Sequence, residues 1–326
     1  MREVLITNNE KGQRIDKFLM KYMSLAPKSF IYKMLRKKNI KLNDKKADGS
    51  EMLKNNDVIK LFLADETINK FIENKTIKKA SRNFEIVYED ENIILANKPQ
   101  GLIVHPDKEH KTNTLNDQLL YYLSEKGDYN HNNSMGFVPS ICNRLDLNTS
   151  GIVTMGKNLQ AVQELNRGFK EKLIDKYYIT IVNGNVTEAG VIEGYHSKNG
   201  DNIAFISDKS NEGSFIRTFY KPLASNGEYT LLEIKLETGK SHQIRVCMKS
   251  IGYPIIGDRK YGNICVNKYF YNTFKLDNQF LHSYKLVMKF DCGCLQYLNN
   301  KVFKAKLSVK FDKILRDLFK NIVEKC

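Results

Sequence analysis

Within Asn143-Arg144-Leu145-Asp146-Leu147-Asn148-Thr149-Ser150-Gly151, a single acid stands two residues after an arginine and just ahead of a hydroxyl-bearing turn that ends in glycine. Carboxylates serve as covalent nucleophiles at sugar centres, and a guanidinium held beside one favours its ionised form and fixes its position. Asp146 is therefore a candidate nucleophile. By itself the Arg-x-Asp pattern fits a surface ion pair or a capped turn equally well. His105 and His242 invite an acid/base or metal reading, yet neither has a second His or a carboxylate at metalloprotease spacing, which favours structural or RNA-facing roles. The six cysteines show no CxxC spacing, and Cys292-Gly-Cys294 reads as a turn with reduced thiols. No metal and no cofactor are expected. Tyr121-Tyr122 and Tyr269-Phe270-Tyr271 could stack bases or pack a core edge.

The elements that must position Asp146 are legible in part. Ile15, Phe18, Leu19, Tyr22 and Met23 recur at helical spacing, as do Phe30, Ile31, Met34 and Leu35 after Pro27, and the second set runs into Arg36-Lys37-Lys38. Ile40 to Asn43 and Val58 to Phe62 read as short strands, and residues 64 to 83 as a linker with some helix. Phe84 to Gly101 reads as strand, Asp/Asn-rich turn, strand and Pro-x-Gly turn. Glu125 to Phe137, with Asn130, Asn132, Asn133 and Gly136, is an excursion loop. Leu159 to Lys172 is helical. Lys176 to Val182 is a strand, and Phe215 to Leu223 and Tyr229 to Leu236 are strands flanking Ser225-Asn226-Gly227.

The 326 residues, 41% of them hydrophobic, suffice for one large unit and one small one. Against 37 acidic residues stand 52 Lys and Arg, a formal charge of +15 that would gather phosphate polyanions near the surface. A compositional bias toward Lys and Asn would raise the charge without creating a binding surface. Neither a signal-like apolar run nor an 18-residue apolar window is present, which points to a soluble, cytoplasmic protein with no membrane partner.

Several segments, in order, resemble RNA pseudouridine synthases of the RluA type (the RluA, RluC and RluD branch), over about residues 84 to 325. Leu95-Ala96-Asn97-Lys98-Pro99-Gln100-Gly101 is similar to that family's Asn-Lys-Pro-x-Gly segment, and Asn143 to Gly151 to its aspartate loop. Lys176-Tyr177-Tyr178 resembles its Lys-x-Tyr strand, and Thr238-Gly239-Lys240-Ser241-His242-Gln243-Ile244-Arg245 its Thr-Gly-Arg-Thr-His-Gln-Ile-Arg segment. Gly252 to Asp258 and Phe280 to Ser283 match two later segments. Single motifs of this kind are weak, and their shared order is what carries the likeness.

The resemblance implies an α+β pseudouridine synthase fold, with a mixed, largely antiparallel central sheet and flanking helices over 84–326. It implies isomerisation of uridine in RNA by a lone carboxylate, without redox chemistry and without a cofactor. Asp146 would be the nucleophile, attacking either the ribose anomeric carbon or the base. Tyr178 would pack on the base and be a candidate proton acceptor, Arg245 would pair with Asp146, and Arg144 would enter the RNA to help displace the target base, which must leave its stack. Asn143, Leu147, Lys240 and Cys247 depart from the family's usual His, charged residue, Arg and His, leaving every such group in place.

Residues 12 to 63 resemble the alpha-L RNA-binding module, a small α/β fold. The expected organisation is this module over 1–65, a linker over 66–83 and the catalytic unit beyond. In that likeness Lys28, Lys33, Arg36, Lys37, Lys38 and Lys41 would contact phosphates, although cations at a helix C-terminus also complement its dipole. The expected partner is RNA, with ribosomal RNA favoured by the module and tRNA possible, and the expected state a monomer. The rival readings are a non-catalytic RNA-binding or ribosome-assembly factor, and a hydrolase with a glycosidase-like acid pair, for which the aspartate loop offers no second carboxylate.

Overall fold

The computed structural model describes residues 1–7, 10–73, 77–107, 109, 111–129, 137–198, 204–207 and 213–320; Asn130, Asn132, Asn133 and Gly136 of the expected excursion loop lie outside them. The N-terminal unit comprises β1 (Arg2–Leu5), α1 (Ile15–Tyr22), α2 (Lys28–Arg36), β2 (Ile40–Leu42), β3 (Lys45–Lys46), β4 (Val58–Leu61) and α3 (Asp65–Phe71). Its four strands pair in the order β1-β4-β2-β3. The helical spacing places Ile15, Phe18 and Leu19 on one face of α1, and all three are fully buried with Ile31, Leu35, Ile40, Ile59 and Leu61.

The stretch expected as a linker begins with α3, which packs onto this core through Ile68, Phe71 and Ile72. Leu25 N–H also donates to Phe71 O at 3.0 Å. The packed unit thus runs past residue 65 to about Ile72, since an amphipathic turn with an apolar face is stabilised by burial even inside a charged segment.

The larger unit continues with β5 (Glu85–Glu89), β6 (Ile93–Lys98), α4 (Leu115–Glu125), β7 (Ser140–Ile141), β8 (Ser150–Gly156) and α5 (Leu159–Lys170). Next come β9 (Ile174–Asn183), β10 (Gly190–Lys198), β11 (Ala204–Ser207), β12 (Ser214–Ser225), β13 (Tyr229–Leu236) and α6 (Gln243–Ser250), then α7 (Ile264–Phe274), β14 (Leu281–Met288), β15 (Val302–Lys304) and α8 (Val309–Leu318). Nine strands lie in the order β11-β10-β12-β13-β9-β14-β8-β6-β5, with β15 on β14 and β7 on β8. Among the described residues the pairings are antiparallel except β14 with β8, where His282 lies opposite Ser150 and Ser283 opposite Gly151. The sheet is mixed and largely antiparallel.

Successive side chains of a strand point to opposite faces, and the helices use both. Ile93 and Leu95 of β6 pack with Ala161 and Leu165 of α5, whereas Ile94 and Ala96 pack with Leu115, Leu119 and Leu123 of α4. On β9, Tyr178 and Val182 share a core with Ile244, Cys247 and Met248 of α6, and Ile179 and Ile181 share one with Phe270 of α7 and Phe311 of α8. Tyr178 therefore lies on the α6 face, the face on which the site is built.

Candidate active site

The aspartate loop joins β7 to β8 and is pinned along its length. Asn143 Oδ1 accepts from the Thr154 amide at 2.7 Å and its hydroxyl at 3.0 Å, which ties the loop's start to β8. Lys98, wholly enclosed, donates through Nζ to the carbonyls of Pro99 (3.0 Å), Leu102 (2.7 Å) and Leu147 (2.9 Å). Three acceptors match the three protons of an ammonium. Burial pulls this amine down to about 7, and the Asp146 charge opposes that pull. Gly101 N–H adds a bond to Leu147 O at 3.0 Å, and Gln100 Nε2 bridges Asn148 O and Gln279 O, both at 2.9 Å. The loop's backbone is thus held by residues 98–101 and 279, while the Asp146 side chain stays about a third exposed.

Where the loop enters β8, Gly151 has φ +115°, and a Cβ there would stand 2.2 Å from Ser283 O. Only glycine permits that approach. Beside it Ser150 Oγ lies 2.8 Å from His282 Nδ1, and His282 Nε2 reaches Ala305 O at 3.4 Å. The carbonyl must accept from Nε2–H, so Nδ1 accepts the serine proton, and burial holds this imidazole down at about 4. Strand β14 carries this lock on one edge and pairs with β9 on the other, placing Ser283 opposite Tyr178. The two strands that flank β14 thereby set Asp146 and Tyr178 along one cavity of ≈ 400 Å³, lined also by Arg144, His242 and Arg245.

Arg245 comes from the first turn of α6. Its Nη1 is 3.6 Å from Asp146 Oδ2, while Nε and Nη2 donate to the Asp258 carboxylate at 2.6 and 2.8 Å. Asp258 is fully buried and also accepts from the amides of Lys260 (2.9 Å) and Tyr261 (3.0 Å). Burial pushes its carboxyl up, but the Arg245 hydrogen bonds and charge and these amides carry it below the usual aspartate range. The expected partner of Arg245 is therefore its longer contact. The tighter one, Asp258, lay in a matched segment without a role, because its pairing depends on the turn after α6 and not on spacing.

Burial raises the Tyr178 phenol to about 12, with a Ser283 hydrogen bond opposing and the Asp146 charge reinforcing. Its ring and hydroxyl line the cavity, with the proton in place at neutral pH in the free enzyme. His242 joins the cavity, with Nε2 3.9 Å from Asp146 Oδ2. Lys176 does too; burial lowers its amine, and Lys170 and Lys240 are exposed at the rim. Arg144 is exposed and makes no ion pair among the described residues. His242 and Lys176 sit inside matched segments, so their positions were visible and their convergence was not.

In the N-terminal unit Lys28, Lys33, Arg36, Lys37 and Lys38 are exposed and Lys41 is half-buried. None pairs with a carboxylate among the described residues. Lys28 lies over the Tyr32 ring (5.9 Å) and Lys41 over Phe62 (5.1 Å). Lys38, at φ 61°, closes α2: its N–H reaches Leu35 O and the Asn39 N–H reaches Met34 O, both at 3.0 Å, so its backbone caps the helix and its charge is left to solvent.

A family model described as RNA pseudouridylate synthase matches residues 92–250. An uncharacterised RNA pseudouridine synthase of Mycoplasma genitalium is 31% identical over 96% of this chain and 98% of its own. The ribosomal large subunit pseudouridine synthase C of Rickettsia bellii is 33% identical over 95% and 100%, and synthase D of Borreliella burgdorferi 36% over 72% and 69%. Among solved structures, human RNA pseudouridylate synthase domain containing 4 superposes with a TM-score of 0.57 at 22% identity, over 72% of this chain and 92% of that one. Fold and cavity together are those of an isomerase that modifies RNA. The chain belongs to the RNA pseudouridine synthase family, in its RluA-type branch.

Proposed function

We propose that this enzyme converts a specific uridine of large-subunit ribosomal RNA to pseudouridine with Asp146 as nucleophile. The observation that carries the reading is that Asp146 shares one cavity with Tyr178 and with an Arg245 whose other nitrogens are already engaged. In this scheme a carboxylate oxygen bonds to the target nucleotide while the C1′–N1 bond breaks. The uracil then turns against the Tyr178 ring, C1′ bonds to C5, the bond to the carboxylate oxygen breaks with its electron pair returning to Asp146, and the C5 proton leaves as N1 gains one, so atoms and charge balance with no external reagent. Arg245 holds the carboxylate in line. Arg144 takes the place vacated by the flipped base, and the ring of Tyr178 stacks on the base. In this reading Tyr178 is also the candidate acceptor that relays the C5 proton.

Large-subunit RNA is favoured by the names of the Rickettsia and Borreliella relatives and by the net charge of +15. The N-terminal unit serves as the RNA-binding module, with Lys28, Lys33, Arg36, Lys37, Lys38 and Lys41 on phosphates, residues beyond α3 as the linker, and the unit from residue 84 as catalyst, acting as a cytoplasmic monomer. Asp146→Asn retains RNA binding and loses isomerisation when ribosomal RNA is incubated with enzyme and pseudouridine is mapped with carbodiimide. Ordinary turnover by that variant would end the nucleophile assignment. Conversion of tRNA alone would redirect the substrate, and release of free uracil would point to hydrolysis.

A further inference from the structure

We propose that the Nε2–H of His242 hydrogen-bonds an oxygen of the target nucleotide beside Asp146, and that Tyr261 sets this orientation. The inference rests on the reading of Asp146 as the nucleophile.

The donor order follows from one fixed end. Ala204 N, a backbone amide that can only donate, lies 3.0 Å from the Tyr261 hydroxyl, which lies 3.0 Å from His242 Nδ1. The hydroxyl oxygen accepts from the amide and has no acceptor for its own proton other than Nδ1 among the described residues, so that proton goes to Nδ1 and the ring proton of a neutral imidazole is left on Nε2. This tautomer is assigned from the hydrogen-bond network. Burial lowers the imidazole's affinity for a second proton. Among the charges around it, Asp146 and Asp258 oppose that lowering and Arg245 and Lys260 reinforce it.

The Nε2 proton has no acceptor within hydrogen-bond reach among the described residues. Its nearest oxygen, Asp146 Oδ2, is 3.9 Å away, beyond a hydrogen bond. A half-buried N–H with no protein acceptor among the described residues, next to the attacking carboxylate, faces the space that the target nucleotide must fill. The intact uridine offers only oxygen acceptors to such a donor. A neutral donor has a further advantage over a cation, because imidazolium would form an ion pair with Asp146 and draw its electrons away from attack.

The backbone is built to hold the ring there. His242 sits at φ 59°, in the left-handed region that a side chain rarely adopts, immediately before α6. The strain is held by neighbours: His196 Nε2 lies 2.9 Å from Ser241 O, the Lys240 amide donates to Gln243 Oε1 at 3.0 Å, and the Gln243 amide donates back to Lys240 O at 3.1 Å. His196 and Ala204 both belong to the β10–β11 hairpin at the sheet edge, so that hairpin supports the ring at two points.

Single-turnover conversion of a ribosomal RNA fragment with enzyme in excess tests the role, using His242→Ala, His242→Gln, Tyr261→Phe and Asp146→Asn in parallel. His242→Ala slows the saturated step about 10-fold or more. His242→Gln, whose amide keeps a donor near Nε2, recovers most of the rate. Tyr261→Phe slows it less and, in ¹⁵N spectra of histidine-labelled enzyme, moves the His242 signals from the Nε2–H pattern toward a mixture. A fragment carrying 2′-deoxyuridine at the target identifies the oxygen: the cost of His242→Ala vanishes on it if the 2′-hydroxyl is the acceptor and persists if a base carbonyl is. If Asp146→Asn abolishes conversion while His242→Ala keeps the wild-type rate, or if the wild-type spectra show Nδ1–H or imidazolium at neutral pH, this inference falls alone. Turnover by Asp146→Asn overturns the nucleophile reading instead. Should His242→Ala not fold, the glutamine variant and the wild-type spectra decide.

Discussion

Arg245 and Asp258 form a doubly hydrogen-bonded pair, Nε to Oδ2 at 2.6 Å and Nη2 to Oδ1 at 2.8 Å, that leaves Arg245 Nη1 at 3.6 Å from Asp146. The arginine is thus anchored to one carboxylate and offered to another. A guanidinium free of Asp258 could swing fully onto Asp146 and occupy the oxygens proposed to attack.

Removing the anchor therefore costs both stability and rate. Asp258→Ala removes the two short hydrogen bonds that hold a buried guanidinium and leaves it only the longer Asp146 contact, for which up to about 3–5 kcal/mol of destabilisation is expected. The fraction that remains folded should turn over RNA more slowly than wild type. Urea unfolding followed by single-turnover assay under folding conditions checks both, and a folded variant with wild-type turnover would contradict the anchoring role.

His282 gives the fold an acid limit. In the unfolded chain an imidazole titrates near 6.5, whereas burial holds His282 at about 4. Between those values the unfolded chain binds a proton that the folded chain excludes. Stability is then fully present above about pH 6.5 and falls as pH drops toward about 4, by about 3 kcal/mol for this group. His282→Gln should flatten the slope in that window whatever it does to the absolute stability. Equal slopes in the two proteins, read from denaturant melts across the window, would remove His282 as the cause.

RNA contact by the exposed cations of α2, as proposed, would make binding depend on salt. Replacing Lys33, Arg36 and Lys37 with Gln should weaken RNA binding to similar degrees across sequences. It should also reduce the magnitude of the log–log salt slope by about 2 to 3, at roughly 0.7 to 0.9 for each of the three lost phosphate contacts. The unit should stay folded because these side chains pack against nothing that needs them. An unchanged slope would take this surface out of the RNA path.

The parts of the molecule that could be read in the sequence are those in which the signal is local. Ile15, Phe18 and Leu19 reveal α1 by spacing alone, and the strands through Tyr178 and Tyr229 carry enough apolar residues to stand out. Strand β8 is buried along its whole length, so it lacks the alternation that marks a half-exposed strand. Helix α6 has eight residues and no side-chain cap, with the left-handed His242 in the cap position, so neither period nor capping residue announces it. The site divides in the same way. Asp146, Tyr178 and Arg245 lie in segments whose order is informative, whereas Asp258, Lys98 and the Tyr261–His242 bond arise where separate elements meet.

Strand β14 stands between β8 and β9 and is the seam of the sheet. On one side lie β8, β6 and β5 with the aspartate loop; on the other lie β9, β13, β12, β10 and β11 with Tyr178 and, packed on them, Arg245. During synthesis the two sides emerge first and the seam afterwards, and closing the Ser150–His282 bond joins residues 132 apart in the chain. Long closures of this kind are slow, because loop entropy is lost before contacts compensate. A chain that ends before β14 lacks the strand that pairs with both the aspartate loop's strand and the strand of Tyr178, and it is expected to stay inactive until β14 is added.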